Sequence, residues 1–342
     1  MSFDGIVTKA MTEELNEALI GGKIGKIYQP NHYDLILNVR VKGTKQQLIL
    51  SAHPTYSRVH ITNESYTNPD QPPMFCMVMR KHLEGGVIDN IRQIDMDRII
   101  VIDVRSRNEI GDEAPKQLII EIMGRHSNII LIDPQKENVI ESIKHITPAV
   151  SRERTVMPGS VYEPPPQQHK LNPFEADEAA FLRKLDFNAG KVDMQIVNSF
   201  AGISPLFAKE TVQQAGLVNR TSLPKTFFEL IDRVRTGKIT PQIIYTERKE
   251  FFYVLPLTHL QGEAKTFDSI SAMLDRFYFG KADRDRIKQQ ANDLEKFIRN
   301  EKKKNEKKIK KLEQTWEDSK KSGHLPAIWR TANCSYLCSE PW

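Results

Sequence analysis

Three short runs hold the residues best suited to chemistry. Gly202-Ile203-Ser204-Pro205, followed by Ala208 and Glu210, stands between two helical stretches. A glycine turn leading into a helix start aims backbone N–H groups outward, and such groups hold a phosphate oxygen without reading base sequence. The same run also serves as an ordinary tight turn between helices. Met96-Asp97-Arg98 opens an apolar strand. There the Asp and Arg form a local ion pair, or Arg98 reaches a phosphate or base edge with Asp97 as its orienter or as an acceptor. The third run is Glu121-Ile122-Met123-Gly124-Arg125-His126-Ser127-Asn128, joining two apolar strands. Gly124 permits a tight turn, and Arg125, His126, Ser127 and Asn128 cluster hydrogen-bonding groups there, unless they form only a polar hairpin tip. Glu121 lies inside a strand, where burial costs free energy without a partner.

Motifs of the commoner enzymes are missing from the sequence. It has no GxxxxGK[ST], HExxH or GxSxG, and no GxGxxG after a strand. Nine His residues are scattered without ligand spacing, and His53, His60, His82, His145 and His169 read as structural or surface groups. Cys76, Cys334 and Cys338 make neither a disulfide framework nor a CxxC pair. No metal and no cofactor is expected.

The 342 residues suggest two to three domains, and 39% hydrophobic residues are enough for a sizeable core. No stretch approaches 18 consecutive apolar residues, so no membrane span is expected. The first eleven residues include Asp4 and lack a basic region followed by an apolar run, so no secretory signal is expected. The reading is a reduced, cytoplasmic protein. The net charge of +5 is uneven. Residues 281–324 hold 15 Lys/Arg against 9 Asp/Glu, while residues 1–280 sum to −1. Such a segment attracts phosphate backbones or anionic surfaces, or is a solvated helix face.

The elements that must position these runs are an α+β set. A helix opens the chain, with Thr12 as its N-cap and Leu15, Ala18 and Leu19 at helical spacing, and stops at Gly21-Gly22. Strands are expected at 26–29, 34–41, 47–51 and 58–62, then a helix from Met74 to Leu83 ended by Gly85-Gly86. A second β block follows at 98–104, 117–123 and 128–132, and both blocks should pack into one mixed domain. Five prolines between 158 and 173 read as a linker. Residues 175–240 read as four helices, 242–246 and 251–255 as two short strands, and 270–279 as a helix. From 281 to 321 there is neither Pro nor Gly. Ile287, Ala291, Leu294, Ile298 and Leu312 sit at a/d spacing, with Glu301, Asn305 and Lys308 weakening the middle. No internal repeat of 20–50 residues is evident. Leu325 to Trp342 carries two of three Trp, two of three Cys and almost no charge, and is expected to be a non-native tail on a truncated chain.

Phe3-Asp4-Gly5, the three runs above, and Tyr278-Phe279-Gly280 before the basic helix occur in one order across residues 1–323. Together they resemble the NFACT family, most closely its bacterial members. The resemblance implies an N-terminal module (1–173) like that of formamidopyrimidine-type DNA glycosylases. A helix-hairpin-helix domain (174–240), a closing β/α segment (241–280) and a basic coiled-coil arm (281–323) would follow, with 324–342 as the tail. Ser2 and Phe3 stand where those glycosylases begin with Pro and Glu, so their chemistry is not expected here.

The function so implied is ribosome-associated quality control. The protein would bind the large ribosomal subunit carrying a stalled peptidyl-tRNA and recruit alanyl-tRNA, so that the chain gains alanines without mRNA. It would be an adaptor rather than an enzyme, the ribosome making the peptide bonds. The tRNA site would comprise Asp97, Arg98, Glu121, Ile122, Met123, Arg125, His126 and Asn128. Gly202, Ile203 and Ser204 would hold backbone phosphate, and the arm would reach ribosomal RNA. Two alternatives stand beside this reading. One is a fibronectin-binding surface adhesin, which needs export; the other is a DNA-repair-like protein, which rests on fold analogy.

Overall fold

Asp4 starts the first helix, α1 (Gly5–Leu19), by accepting the Val7 N–H on Oδ1 at 2.9 Å. Ile6, Val7, Ala10, Met11, Leu15 and Leu19 recur at helical spacing and are buried. In this computed structural model residues 3–107 and 111–321 are described. The expected tail at 324–342, with Cys334 and Cys338, and Ser2 lie outside the described residues. The chain forms two compact units, Met1–Phe279 and Gly280–Trp342.

In the first unit, α1 is followed by β1 (Lys23–Tyr28), β2 (Asp34–Val41), β3 (Thr44–Ser51) and β4 (Arg58–Ile61). Then come α2 (Met74–Leu83), β5 (Val87–Gln93), β6 (Ile99–Arg105), β7 (Lys116–Glu121), β8 (Asn128–Asp133) and β9 (Asn138–Ser142). The nine strands make one antiparallel sheet in the order β4-β3-β2-β1-β5-β6-β7-β8-β9. The two β blocks, expected to pack into one mixed domain, in fact share one sheet. Three elements escaped the sequence reading. Two are β5 and β9, and the third is β12 (Glu263–Thr266), which pairs with β10 (Gln242–Tyr245) beside β11 (Glu250–Tyr253).

Strands β6 to β8 are apolar on both faces because both are covered. Ile100, Ile102, Leu118, Ile120, Ile129 and Leu131 face the main core. Ile99, Val101, Ile119, Ile130 and Ile132 form a second, smaller cluster with Val139 and Val156, against which Ile146 and Tyr162 pack. Part of the stretch expected to be a linker is thus a lid over this cluster. Val161 bridges to Asn138, and Leu171 bridges to Phe200.

The helical part consists of α3 (Glu178–Lys184), α4 (Val192–Ser199), α5 (Pro205–Ala215) and α6 (Ser222–Arg235). Phe181, Phe200 and Phe227 hold these helices together, with ring centroids 4.8–5.3 Å apart. Helix α7 (Ile270–Tyr278) is tied to α1 by Glu14, whose carboxylate accepts the N–H groups of Ile270 at 2.7 Å and Ser271 at 2.9 Å. Among the described residues of the second unit, Lys281–Lys321 form one continuous helix, α8. Its Ile287, Leu294, Ile298 and Leu312 are exposed.

The large sheet also contains an approximate twofold repeat, longer than the repeats sought in the sequence. Gly21 N donates to Ile88 O and Gly85 N donates to Ile24 O, both at 2.8 Å. Ile88 N donates to Gly22 O at 2.9 Å and Ile24 N to Gly86 O at 2.8 Å. Each bond has its mate at a constant offset along the chain, so α1 through β4 corresponds to α2 through β8. The connecting turns match as well. Ser51 pairs with Arg58 across the β3–β4 turn, and Glu121 pairs with Asn128 across the β7–β8 turn, the same separation in both. The second glycine of each Gly-Gly pair leaves room for a valine of its own half. A Cβ on Gly22 would sit 2.5 Å from Val39 Cγ1, and one on Gly86 2.6 Å from Val104 Cγ1. Gly22→Ala and Gly86→Ala should each cost about 1–3 kcal/mol through overpacking, read as a lowered melting temperature.

Candidate functional site

Three segments far apart in sequence meet through their backbones. Gly5 N donates to Gly202 O at 2.9 Å. A Cβ on Gly5 would lie 2.3 Å from Met96 O and 2.4 Å from Gly202 Cα, and one on Gly202 would lie 2.5 Å from Met96 O. Only glycine fits either place, and Gly202 also has φ +73°. Gln93 stitches the junction, its Nε2 donating to Gly5 O at 3.0 Å and Asp97 O at 2.8 Å.

Asp4 closes the junction from beneath. While Oδ1 caps α1, Oδ2 accepts the Tyr253 hydroxyl at 2.8 Å and the Ser204 hydroxyl. Burial pushes the Asp4 carboxyl up, with the three donors partly offsetting it. Burial and the neighbouring Asp4 likewise push the Tyr253 phenol up. Ser204 stands at the N-cap of α5, yet its hydroxyl is used on Asp4, and no side chain caps that helix.

Above the junction lies an open cleft of about 580 Å³. Asp4, Gly5, Met96, Asp97, Arg98 and Gly202–Ser204 line it, and the chain from Gln167 to Asn172 forms another wall. Two of the runs singled out in the sequence, Met96–Arg98 and Gly202–Ser204, thus share one wall system. The charges are mixed, with Arg98 and Lys170 set against Asp95, Asp97 and Glu175. Asp97 Oδ1 accepts the Arg98 N–H at 2.8 Å, so it shapes the backbone at the strand start. Ile203 is buried and supports the turn.

The Glu121–Asn128 run divides into support and tip. Ile122 N donates to Arg98 O at 2.8 Å, which sets the run beside the cleft's strand. Glu121 is buried and held by Arg154, with contacts of 2.8 and 3.2 Å, and by the Tyr162 hydroxyl at 3.0 Å. Its side chain is a structural anchor for the segment that covers the second cluster. Ile122 is in the main core and Met123 packs on the smaller one. Asn128 is buried, accepting the Lys144 N–H at 3.1 Å and donating to Lys144 O at 2.9 Å. Only Arg125 and His126 stand in solvent, on a single 3₁₀ turn, Arg125 Nε donating to His126 Nε2 at 2.9 Å.

Sequence reasoning passed over Gln93, Tyr253 and Arg154 as functional or supporting groups, and noted Asp4 only within the run Phe3-Asp4-Gly5. The helix it caps begins at Gly5, not after the expected cap Thr12, which is buried inside α1. Arg154 carried no signal, because its partner lies 33 residues away. Among the described residues no group of His, Cys, Asp and Glu is arranged to hold a metal, and no helix is long and apolar enough to cross a membrane.

The NFACT N-terminal and middle domains, as that family is described, match residues 4–328. The chain is 56% identical over 319 residues to the Rqc2 homolog RqcH of Bacillus subtilis, covering 93% of this chain and 56% of that protein. A shorter match, 30% identical over 131 residues, covers 38% of this chain and 11% of ribosome quality control complex subunit NEMF of Homo sapiens. The crystal structure of the fibrinogen binding protein from Staphylococcus aureus superposes with a TM-score of 0.74 at 42% identity. It covers 82% of this chain and 100% of that one. The chain spans about half the length of the bacterial relatives it matches.

Two outcomes test the supporting framework. Arg154→Ala leaves Glu121 buried without its cation and should cost about 3–5 kcal/mol, read by chemical denaturation. Glu210, on α5, is buried too. Burial opposes its ionisation, but hydrogen bonds from His259, Gln214 and Thr258 outweigh that and hold its carboxyl at about 2, below the ordinary 4.5. The stability linked to it is present above pH 4.5 and is lost as pH falls toward 2. Melting temperature should therefore drop more steeply over that window in the wild type than in Glu210→Gln.

Proposed function

The chain belongs to the NFACT family, and from that membership we propose that it acts in ribosome quality control as an RNA-binding adaptor in the cytoplasm. It binds tRNA and the obstructed large ribosomal subunit carrying a stalled peptidyl-tRNA. It recruits alanyl-tRNA, so that the stalled chain is extended by alanine without mRNA. It makes no bonds itself; the ribosome's own centre does that.

The observation that supports this reading is the convergence of residues 4–5, 96–98 and 202–205 on one open cleft. The cleft's two signs suit RNA better than they would suit a bare polyanion. The Arg98 guanidinium is a donor for phosphate or a base edge, and Asp97 is an acceptor for a base amino group or a ribose 2′-hydroxyl. The uncapped start of α5 adds backbone N–H groups with the positive end of a helix dipole. Arg125 and His126, on the run whose Ile122 N–H is bonded to the Arg98 carbonyl, offer further exposed donors. Within the second unit, the lysine-rich α8 supplies a sequence-independent attraction for ribosomal RNA. Glu121, Ile122, Met123 and Asn128 act by holding the turn and strand that carry Arg98, Arg125 and His126. The fibronectin-binding adhesin alternative rests on the older name of the family, and the cleft geometry adds nothing to it.

Arg98→Ala should weaken tRNA binding by about 1–3 kcal/mol. Affinity of the wild type should fall as salt rises, because Lys and Arg contacts release counterions. Fluorescence anisotropy with labelled tRNA across a salt series checks both. Unchanged affinity in the variant would count against the assignment.

A further inference from the structure

The twofold repeat gives the Arg98 site a counterpart. Ala52 N donates to Tyr33 O at 2.9 Å before β2, as Ile122 N donates to Arg98 O at 2.8 Å before β6. Tyr33 therefore stands where Arg98 stands, and the turn at 52–57 stands where the turn at 122–127 stands. The first half carries rings at this place instead of charges. His53 stacks on Tyr56 with centroids 5.0 Å apart and planes at 20°, and Tyr33 meets His53 edge-on at 5.3 Å. The Lys144 ammonium lies 5.2 Å from the centre of the Tyr33 ring. All four side chains are partly exposed.

The cluster is held in place beforehand. His53 Nδ1 accepts the N–H groups of Thr55 and Tyr56, both at 3.1 Å, so its ring is fixed by its own turn. Lys144 joins this turn to the other one. Its Nζ donates to Ala52 O at 2.6 Å, while its backbone is bonded to the Asn128 side chain. Lys144 thus ties the aromatic turn to Asn128, the residue that follows the Arg125–His126 turn.

We propose that Tyr33, His53 and Tyr56, flanked by Lys144, form a stacking site for an unpaired nucleobase of RNA whose phosphates run past Arg125 and His126. The proposal rests on the RNA-binding reading above. Every base offers a π face, so fixed rings capture one without reading it, and an adjacent cation meets its phosphate. A strand held this way gains an anchor that salt does not screen, beside the charged one that salt does.

The test uses the whole chain and two probes, an RNA hairpin with 2-aminopurine in its unpaired loop and a blunt RNA duplex of equal length. Tyr33→Leu and His53→Asn remove rings. The Asn keeps an acceptor for the two turn N–H groups, so one variant preserves the backbone if the other disturbs it. Each should weaken hairpin binding about tenfold at every salt concentration, leave the salt slope unchanged, spare duplex binding and abolish the 2-aminopurine fluorescence change. Tyr33→Phe should restore all of these, and Arg125→Ala should instead reduce the salt slope. If both ring variants, shown folded by thermal melting, bind the hairpin as the wild type does, the stacking site is overturned. A weakened Arg98→Ala would then still uphold RNA binding. If the wild type binds neither probe, both readings fall.

Discussion

The molecule depends on a place where three backbones touch. Gly5, Met96 and Gly202 pack so closely that no Cβ fits at either glycine. Beneath them one buried carboxylate, that of Asp4, accepts from α1, from the turn before α5 and from Tyr253 on β11. The contact is short-range and steric on one side and hydrogen-bonded on the other, which fixes distance and orientation together. The cleft exists because the sheet and the helices are pinned at this point. Its walls at Met96–Arg98 and Gly202–Pro205 can shift only if that packing gives way.

The approximate twofold repeat adds a second order to the sheet. The halves share their glycine pairs, their reciprocal backbone bonds and the length of the turn that follows the third strand. They differ in what they display. One half presents Arg98, Arg125 and His126, and the other presents Tyr33, His53 and Tyr56. A common backbone has been furnished with two chemistries, one responsive to ionic strength and one largely indifferent to it. The carboxylate in the middle of the more familiar run, Glu121, serves the scaffold. Its two oxygens are occupied by Arg154 and Tyr162, and removing water from that pair is worthwhile only because every partner is in place.

The sequence made some of this legible. The boundaries of β2 and α2 follow directly from alternation and from helical spacing bracketed by Pro and Gly. Strand β5 was lost because a bulge between Ile88 and Asn90 breaks its period and much of it is polar. Strand β12 is exposed at all four positions and has no pattern to read. The proline-rich stretch looked like a linker because prolines forbid regular pairing. What it covers, the face of Ile99, Val101 and Ile119, shows only once the sheet is known. At the site, Asp97, Arg98 and Gly202 could be singled out by type. That they share one cleft with Asp4 is a property of the fold, since no local rule relates residues separated by that much chain. Arg154 had no local mark at all, its role being set by the burial of Glu121.

The Asp4 junction also orders events in time. A ribosome delivers Asp4 200 positions before Ser204 and 249 positions before Tyr253. Helix α1 must therefore wait, its cap formed but its carboxylate still hydrated, until nearly the whole first unit has left the exit tunnel. Contacts of such long sequence separation close slowly. Until they close, the face of α1 toward α6 and α7 stays uncovered, while its contacts with β2, β4, β5 and β6 can already form. A messenger cut short before Tyr253 would release a nascent chain in which Asp4 lacks one of its donors.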